Sequence, residues 1–248
     1  LSALEFADRI AVRQKDGVDI TYRELADRVG SAIAILRNLR CEPGDRIAIW
    51  LPNRVEWPVF TYAAALLGLC VVPINTRYRP AELVHALRLG QAKFLVTQER
   101  FLTNPFVEML REVGGGRIGM GTTPEIDSLP DLREIILVNG PEVPGTRSYP
   151  ALLRAVMPER DLASLATKRD PSDPMWLLWT SGTTSAPKGA LLPQSVVENI
   201  WKWTQIAGYR TEDRVLATRP LFYIAGHFWA MIGPMLYGAT SVLEELFT

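Results

Sequence analysis

The sequence is poor in histidine and cysteine and has no excess of either charge. It contains two histidines and two cysteines among 248 residues, and Cys41 and Cys70 form no Cys-x-x-Cys pair. No spacing of these residues matches a metal site, and two separate thiols are typical of a reducing compartment. Lysine and arginine number 27, as do aspartate and glutamate, so the formal net charge is zero. The composition therefore predicts no metal centre and no nucleic-acid partner, which would need a basic surface.

Long apolar runs are also missing. The longest, residues 62–74, contains Gly68 and Pro73 and is shorter than the roughly 20 residues of a membrane-spanning helix. The first residues show no signal peptide. We therefore expect a cytoplasmic protein without a transmembrane segment, in which the 48% of hydrophobic residues build a buried core.

What the sequence does contain is an alternation of short apolar runs with longer amphipathic ones. The runs typical of strands are residues 46–51, 70–74, 93–97, 134–138, 175–179, 190–192, 214–218 and 239–243. Helices are predicted from a capping box at Thr21 and Glu24, and near residues 55–69, 80–90, 106–113, 194–207 and 228–236. Strands alternating with helices predict an α/β fold of layered, mainly parallel sheets flanked by helices.

A polar stretch, residues 161–174, divides this pattern. It contains Asp170-Pro171 and Asp173-Pro174, which interrupt regular structure. We therefore expect a first α/β subdomain over residues 1–165 and the start of a second over residues 166–248.

The second part carries a loop rich in hydroxyl groups between two predicted strands. Residues 180–189 read Thr-Ser-Gly-Thr-Thr-Ser-Ala-Pro-Lys-Gly. Backbone and hydroxyl donors, glycines that permit close approach and one lysine suit a polyphosphate. The order differs from a Walker A loop, and the alternative is a hairpin without a ligand. The residues predicted to bind phosphate are Thr180, Ser181, Gly182, Thr183, Thr184, Ser185, Lys188 and Gly189.

This loop resembles the phosphate-binding signature of the adenylate-forming superfamily, which contains acyl-CoA synthetases, nonribosomal adenylation domains and beetle luciferases. Further segments resemble that family in the same order, and they cover essentially the whole chain. They are residues 20–25, 43–48, 67–75, 220–226 and 234–240. Asn75-Thr76-Arg77 is similar to acyl-CoA synthetases in particular. The resemblance identifies the chain as the N-terminal portion of an AMP-forming acyl-CoA synthetase.

The resemblance implies a two-step reaction. A carboxylate attacks the α-phosphate of Mg²⁺-bound ATP, which gives an acyl-adenylate and pyrophosphate, and the thiol of coenzyme A then takes the acyl group. It also implies that ATP, Mg²⁺ and coenzyme A take part, and that Lys188 and Tyr223 are catalytic. Lys188 would offset the charge of the departing pyrophosphate, because charge stabilisation dominates such a step.

Residues 220–226 resemble a second family motif, usually Pro-Leu-Phe-His-x-x-Gly, that lies near the carboxylate. Tyr223 replaces the histidine; it donates a hydrogen bond but is uncharged at neutral pH. His227 would supply the imidazole if the loop were shifted, and the alternative is a histidine without a ligand. The residues expected to bind the acid are Tyr223, Ala225, Gly226, His227, Phe228 and Trp229.

Other family features are altered or missing. Ser185 stands where many members have glycine, and Pro193-Gln194 replaces the common Thr-His or Ser-His. The chain has no Tyr-Gly-x-Thr-Glu or Thr-Gly-Asp segment, which contact adenosine and metal in the family, and no C-terminal domain with its catalytic lysine. We therefore assign no metal ligand and expect residues 1–248 alone to form no acyl-adenylate.

Two alternatives stay open: an adenylation domain of a carrier-protein assembly line, and a non-catalytic scaffold or binding module of the same fold. Tyr223, Ala225, Phe228 and Trp229 indicate an apolar pocket, which favours fatty, alicyclic or aromatic acids over amino acids. A homodimer is compatible with the sequence but is not indicated by any motif.

Overall fold

Strands and helices alternate along most of the chain in the computed structural model, which describes residues 5–15, 17–179 and 188–245. The strands within these residues are β1 (Ile10–Gln14), β2 (Asp19–Thr21), β3 (Arg46–Trp50), β4 (Cys70–Pro73), β5 (Phe94–Thr97), β6 (Gly119–Met120), β7 (Thr123–Pro124), β8 (Glu134–Leu137), β9 (Arg147–Ser148), β10 (Pro174–Trp179), β11 (Gly189–Pro193), β12 (Arg214–Leu216) and β13 (Thr240–Leu243). The eight strands expected from the apolar runs are all present.

Several helices begin where the sequence provides start signals, such as Thr21, Pro80 and Ser148. They are Tyr22–Asn38, Glu56–Leu67, Pro80–Leu89, Phe106–Val113, Tyr149–Arg154, Leu162–Ala166, Val196–Ala207, Ile224–His227 and Gly233–Leu236, with a π-helical turn at Phe228–Ile232. The capping box is confirmed: the Thr21 hydroxyl accepts from the Glu24 amide, and the Glu24 carboxylate accepts from the Thr21 amide. No helix of the described ranges is long and apolar enough to cross a membrane.

The larger sheet has seven strands in the order β11-β10-β4-β3-β5-β8-β9. All neighbours are parallel except β10 and β11, which form an antiparallel hairpin. Alternate side chains of β3 enter two hydrophobic clusters: Ile47 and Ile49 pack on one face, Ala48 and Trp50 on the other. Helices cover both faces, which is why the central strands read as continuous apolar runs. The predicted mainly parallel, layered α/β fold is confirmed.

The smaller sheet joins the two ends of the chain. Its order is β12-β13-β1-β2, with β1 parallel to β13 and antiparallel to β2. The Tyr22 hydroxyl donates to the Ala239 carbonyl over 2.6 Å, which ties the first long helix to the start of β13. Both sheets therefore contain strands from each side of residue 166, and the proposed boundary at that residue stays a prediction.

The helices differ from the sequence prediction in three places. Tyr149–Arg154 and Leu162–Ala166 were not predicted, and the second of them lies within the polar stretch 161–174. The helix expected near residues 228–236 begins four residues earlier, at Ile224, directly after the extended residue Tyr223. Gly226 disfavours a helix by propensity, but a Cβ at this position would lie 2.3 Å from the Pro220 carbonyl oxygen. The backbone approaches that carbonyl so closely that the position has no room for a side chain.

Candidate functional site

The loop predicted to bind phosphate lies between two paired strands. Trp179, the last residue of β10, pairs with Gly189, the first of β11. Thr180, Ser181, Gly182, Thr183, Thr184 and Ser185 lie outside the described residues, so their predicted role stays a prediction. Lys188 is exposed beside the paired ends. This hairpin places a cation next to the loop at the carboxyl end of β10, an arrangement that fits a polyphosphate.

Gly189 has a packing reason to be glycine. A Cβ at this position would lie 2.7 Å from Cδ2 of Leu177, a buried side chain of the facing strand. A larger residue would have to displace Leu177 at the base of the loop. The structure thus supports a structural role for this glycine, whereas its predicted contact with phosphate remains a prediction.

Tyr223 lies where several strand ends meet. Its side chain is 51% exposed, and its hydroxyl accepts a hydrogen bond from Asn75 Nδ2 over 3.5 Å. Asn75 follows β4, and the carbonyl of Pro73 at the end of β4 accepts from Trp179 Nε1 over 2.9 Å. The fold therefore brings Tyr223 close to the carboxyl ends of the parallel strands β4 and β10. This edge is where open α/β sheets bind ligands.

His227 lies deeper, one helical turn beyond Tyr223. It is 3% exposed, and its Nδ1 lies 3.1 Å from the carbonyl oxygen of Leu221. A carbonyl oxygen only accepts, so Nδ1 carries the hydrogen and Nε2 is a bare acceptor. Nε2 has no hydrogen-bond partner in the described part of the chain. Burial lowers the pKa of His227 to about 3, so the ring is neutral and is oriented by backbone.

The other residues predicted to line the acid pocket contact two different aromatic neighbours. Phe228 packs on Trp176 of β10, with 5.1 Å between ring centroids. Trp229 instead packs on Trp203 of the helix Val196–Ala207, with centroids 4.0 Å apart and 41° between the ring planes. The structure therefore groups His227 and Phe228 around Trp176, while Trp229 lies in a separate aromatic contact. Ala225 is half-buried and Gly226 is buried in the first turn of the helix.

Three residues around this site were not singled out as site residues from the sequence. Trp176 and Trp57 both meet the His227 ring edge to face. Asn53 holds the backbone that precedes Tyr223. From the sequence, Trp176 was assigned only to the strand run 175–179 and Trp57 only to the helix near residues 55–69. The local signal that could have indicated Asn53 as a site residue is its place, as an amide, just after the apolar run 46–51.

No group of three or more histidine, cysteine, aspartate or glutamate side chains in the described ranges could hold a metal ion. A cleft of about 540 Å³ lies elsewhere and is lined by Glu142, Arg147 and Ser148 among others. It adjoins β9, at the opposite edge of the large sheet from β10 and β11. None of the predicted site residues lines this cleft.

Comparison with known proteins agrees with the predicted family and fold. A family model described as AMP-binding enzyme matches residues 2–248. The mitochondrial medium-chain acyl-CoA ligase ACSF2 of Mus musculus is 29% identical over 266 residues, which cover 98% of this chain and 41% of that protein. The chain thus spans about two fifths of the length of this curated relative.

Solved structures show the same fold. The anthranilate CoA ligase AuaEII, in complex with anthranoyl-AMP, superposes with a TM-score of 0.82 at 23% identity, covering 96% of this chain and 42% of that one. The N-terminal domain of FACL13 from Mycobacterium tuberculosis superposes with a TM-score of 0.79 at 21% identity and covers 100% of this chain. The matched part of FACL13 is 56% of its chain.

Proposed function

The chain belongs to the AMP-binding enzyme family, and we propose that it is the N-terminal part of an ATP-dependent acid–thiol ligase. The enzyme would convert a carboxylic acid to an acyl-adenylate and then to an acyl-CoA thioester. One observation carries the proposal: the hairpin that bears Lys188 and the Tyr223–Asn75 contact lie at the same edge of one parallel sheet.

The proposed roles follow from that arrangement. Lys188 and the loop before it hold the β- and γ-phosphates of ATP and stabilise pyrophosphate as it leaves. Tyr223 orients the carboxylate by a hydrogen bond, so that a carboxylate oxygen can approach the α-phosphorus. Mg²⁺ would screen the phosphate charge, and its ligands are not assigned in this chain. Coenzyme A would supply the thiol that displaces AMP from the acyl-adenylate.

The proposed substrate is an apolar acid. Phe228, Trp176 and Trp57 form a buried aromatic group around His227, directly behind Tyr223, which favours an apolar neighbour for the carboxylate. The names of the related ligases, for a medium-chain acid and for anthranilate, support aliphatic and aromatic acids as the first candidates. A cytoplasmic location and a homodimer stay predictions, since the mouse relative is mitochondrial by name.

Nucleotide binding tests the proposal on residues 1–248. We expect equilibrium binding of ATP and pyrophosphate, weakened about tenfold or more by Lys188→Ala and largely retained by Lys188→Arg. Lys202→Ala, a change of another exposed lysine on the helix Val196–Ala207, is the matched control. Absence of binding by the parent chain, with Lys188→Ala unchanged, would favour the scaffold module instead.

Turnover distinguishes the remaining possibilities. We expect no pyrophosphate release by residues 1–248 with ATP and a panel of fatty, alicyclic and aromatic acids, and release by the complete gene product. Transfer of the acyl group to coenzyme A supports the ligase. Transfer only to a phosphopantetheinyl carrier protein would instead indicate the assembly-line adenylation domain.

A further inference from the structure

Asn53 connects the large sheet to the segment that precedes Tyr223. It lies in the turn between β3 and the helix Glu56–Leu67 and is 5% exposed. Its Nδ2 donates to the carbonyl oxygens of Ala217 and Arg219, over 3.4 and 3.2 Å. Its Oδ1 accepts from the Leu221 amide over 2.8 Å. The NH₂ group of an asparagine has two hydrogens to donate, and its oxygen accepts, so the side chain satisfies two carbonyls and one N–H at once.

The segment held by Asn53 lies between two regular elements. β12 ends at Leu216, and the helix begins at Ile224, so the residues between them belong to neither a strand nor a helix. Leu221 is engaged at both backbone groups: its N–H donates to Asn53, and its carbonyl accepts from His227. A continuous chain of hydrogen bonds therefore runs from Asn53 through Leu221 to His227.

A second contact joins the same two regions. Trp57, in the first turn of the helix that follows Asn53, meets the His227 ring with 5.8 Å between centroids and 84° between planes. The turn after β3 and the helix that follows it thus contact the Tyr223 segment, the turn through a polar side chain and the helix through an aromatic one. β3 is also the parallel neighbour of β4, after which Asn75 reaches Tyr223.

We infer that Asn53 is a positioning residue, which fixes Tyr223 and His227 relative to the carboxyl ends of β3 and β4. The inference rests on the proposed function, in which Tyr223 orients the carboxylate. The Asn53 side chain is buried, and its hydrogen bonds go to backbone atoms. It acts through the backbone of residues 217–221, and small misplacements of a reacting group cost large factors in rate.

Steady-state kinetics of the complete gene product test this role. Asn53→Asp keeps the size and the acceptor for Leu221 but turns a carboxylate oxygen toward two carbonyls. Asn139→Asp is the control, because Asn139 also accepts from a backbone amide, that of Glu99, and is exposed. We expect Asn53→Asp to lower kcat/KM for the acid about tenfold or more, with KM for ATP within about twofold of the parent.

Two outcomes would overturn the inference. One is an Asn53→Asp enzyme with parental kcat and KM for the acid. The other is a parallel loss toward acid and ATP that follows the drop in melting temperature, which indicates a structural role only. If Asn53→Asp does not fold, the kinetic constants and the melting temperature of Asn53→Ser are measured instead, and the same two outcomes would overturn the inference.

Hydrogen exchange separates this inference from the proposed function. In residues 1–248, we expect the Leu221 amide to exchange faster in Asn53→Ala than in the parent, and as slowly as in the parent in Asn139→Ala. The same acceleration is expected in Asn53→Ser if Asn53→Ala is unstable. Unchanged Leu221 exchange in a folded Asn53 variant contradicts the positioning role. Absence of turnover by the parent enzyme contradicts only the proposed function.

Discussion

The imidazole ring of His227 meets the indole ring of Trp176 edge to face, with 4.5 Å between centroids and 83° between planes. Trp57, in the first turn of the helix Glu56–Leu67, also meets the imidazole edge to face. Two indoles and a backbone carbonyl leave the ring little access to water, so a charged imidazole would lose its hydration. The neutral form with the hydrogen on Nδ1 is the form that these neighbours accommodate.

Because of His227, we expect the protein to become less stable as the pH is lowered. Burial lowers its folded pKa from 6.5 to about 3. Between these values the unfolded chain binds a proton that the folded chain does not, so the free energy of unfolding decreases as pH falls from about 6.5. The slope approaches about 1.4 kcal/mol per pH unit. Above about pH 7, the imidazole is neutral in both states, so His227 no longer changes the free energy of unfolding. Urea denaturation between pH 5 and pH 8 measures the profile.

The same pH profile of the free energy of unfolding should be measured for His227→Gln. The variant lacks the titrating ring, so we expect its free energy of unfolding to change less over the acidic half of the range, whatever its value at neutral pH. Equal slopes for the parent and the variant would contradict the assignment of the pH dependence to His227.

A methyl group at position 226 should destabilise the first turn of the Tyr223 helix. A Cβ there would lie 2.3 Å from the Pro220 carbonyl oxygen, which cannot move without displacing the backbone. We expect Gly226→Ala to lower the free energy of unfolding by about 1–3 kcal/mol, as overpacking does. Thermal and urea unfolding of residues 1–248 measure the effect.

Gly208→Asn provides the control for that substitution. Gly208 ends the helix Val196–Ala207 at φ +75°, with no atom within 4 Å of a built Cβ, and asparagine tolerates this conformation. We expect a change below about 1 kcal/mol, because only a modest conformational cost applies. A Gly226→Ala protein as stable as Gly208→Asn would mean that the Pro220 carbonyl can yield.

The capping box at Thr21 should contribute measurably to stability. The Thr21 hydroxyl accepts from the Glu24 amide over 3.2 Å, so its removal leaves a first-turn amide without this partner. We expect Thr21→Ala to cost about 1 kcal/mol, and Thr21→Ser, which keeps the hydroxyl, to cost much less. Denaturant unfolding measures both. Equal losses for serine and alanine would assign the effect to the threonine methyl group instead.

The core strands were predictable because their signal is local. β3, β4, β5 and β8 are buried on both faces, so each is a short continuous apolar run bounded by turn residues. The helix Phe106–Val113 has the predicted bounds, since proline precedes it and glycine follows it. The phosphate-loop residues were likewise singled out from chemistry alone, although their placement and role stay predictions.

β1 and β2 were not predicted, and their sequence explains why. β1 has only Ala11 and Val12 fully buried, and β2 is three residues long, so neither shows a period or a long apolar run. β1 is stabilised by pairing with β13 near the other end of the chain, where Val12 lies opposite Ser241. The sequence near β1 does not contain that partner strand, so a local pattern could not reveal the pairing.

The sequence by itself determined the alternation of elements, the caps and the composition of the phosphate loop, because these follow from side-chain period, backbone preference and local chemistry. The tertiary structure decided which polar atoms meet. Asn53 binds Leu221, 168 residues away, and Asn75 reaches Tyr223, 148 residues away. Such contacts depend on strand order and on how helices pack on the sheet, and the spacing of residues along the chain does not contain that information.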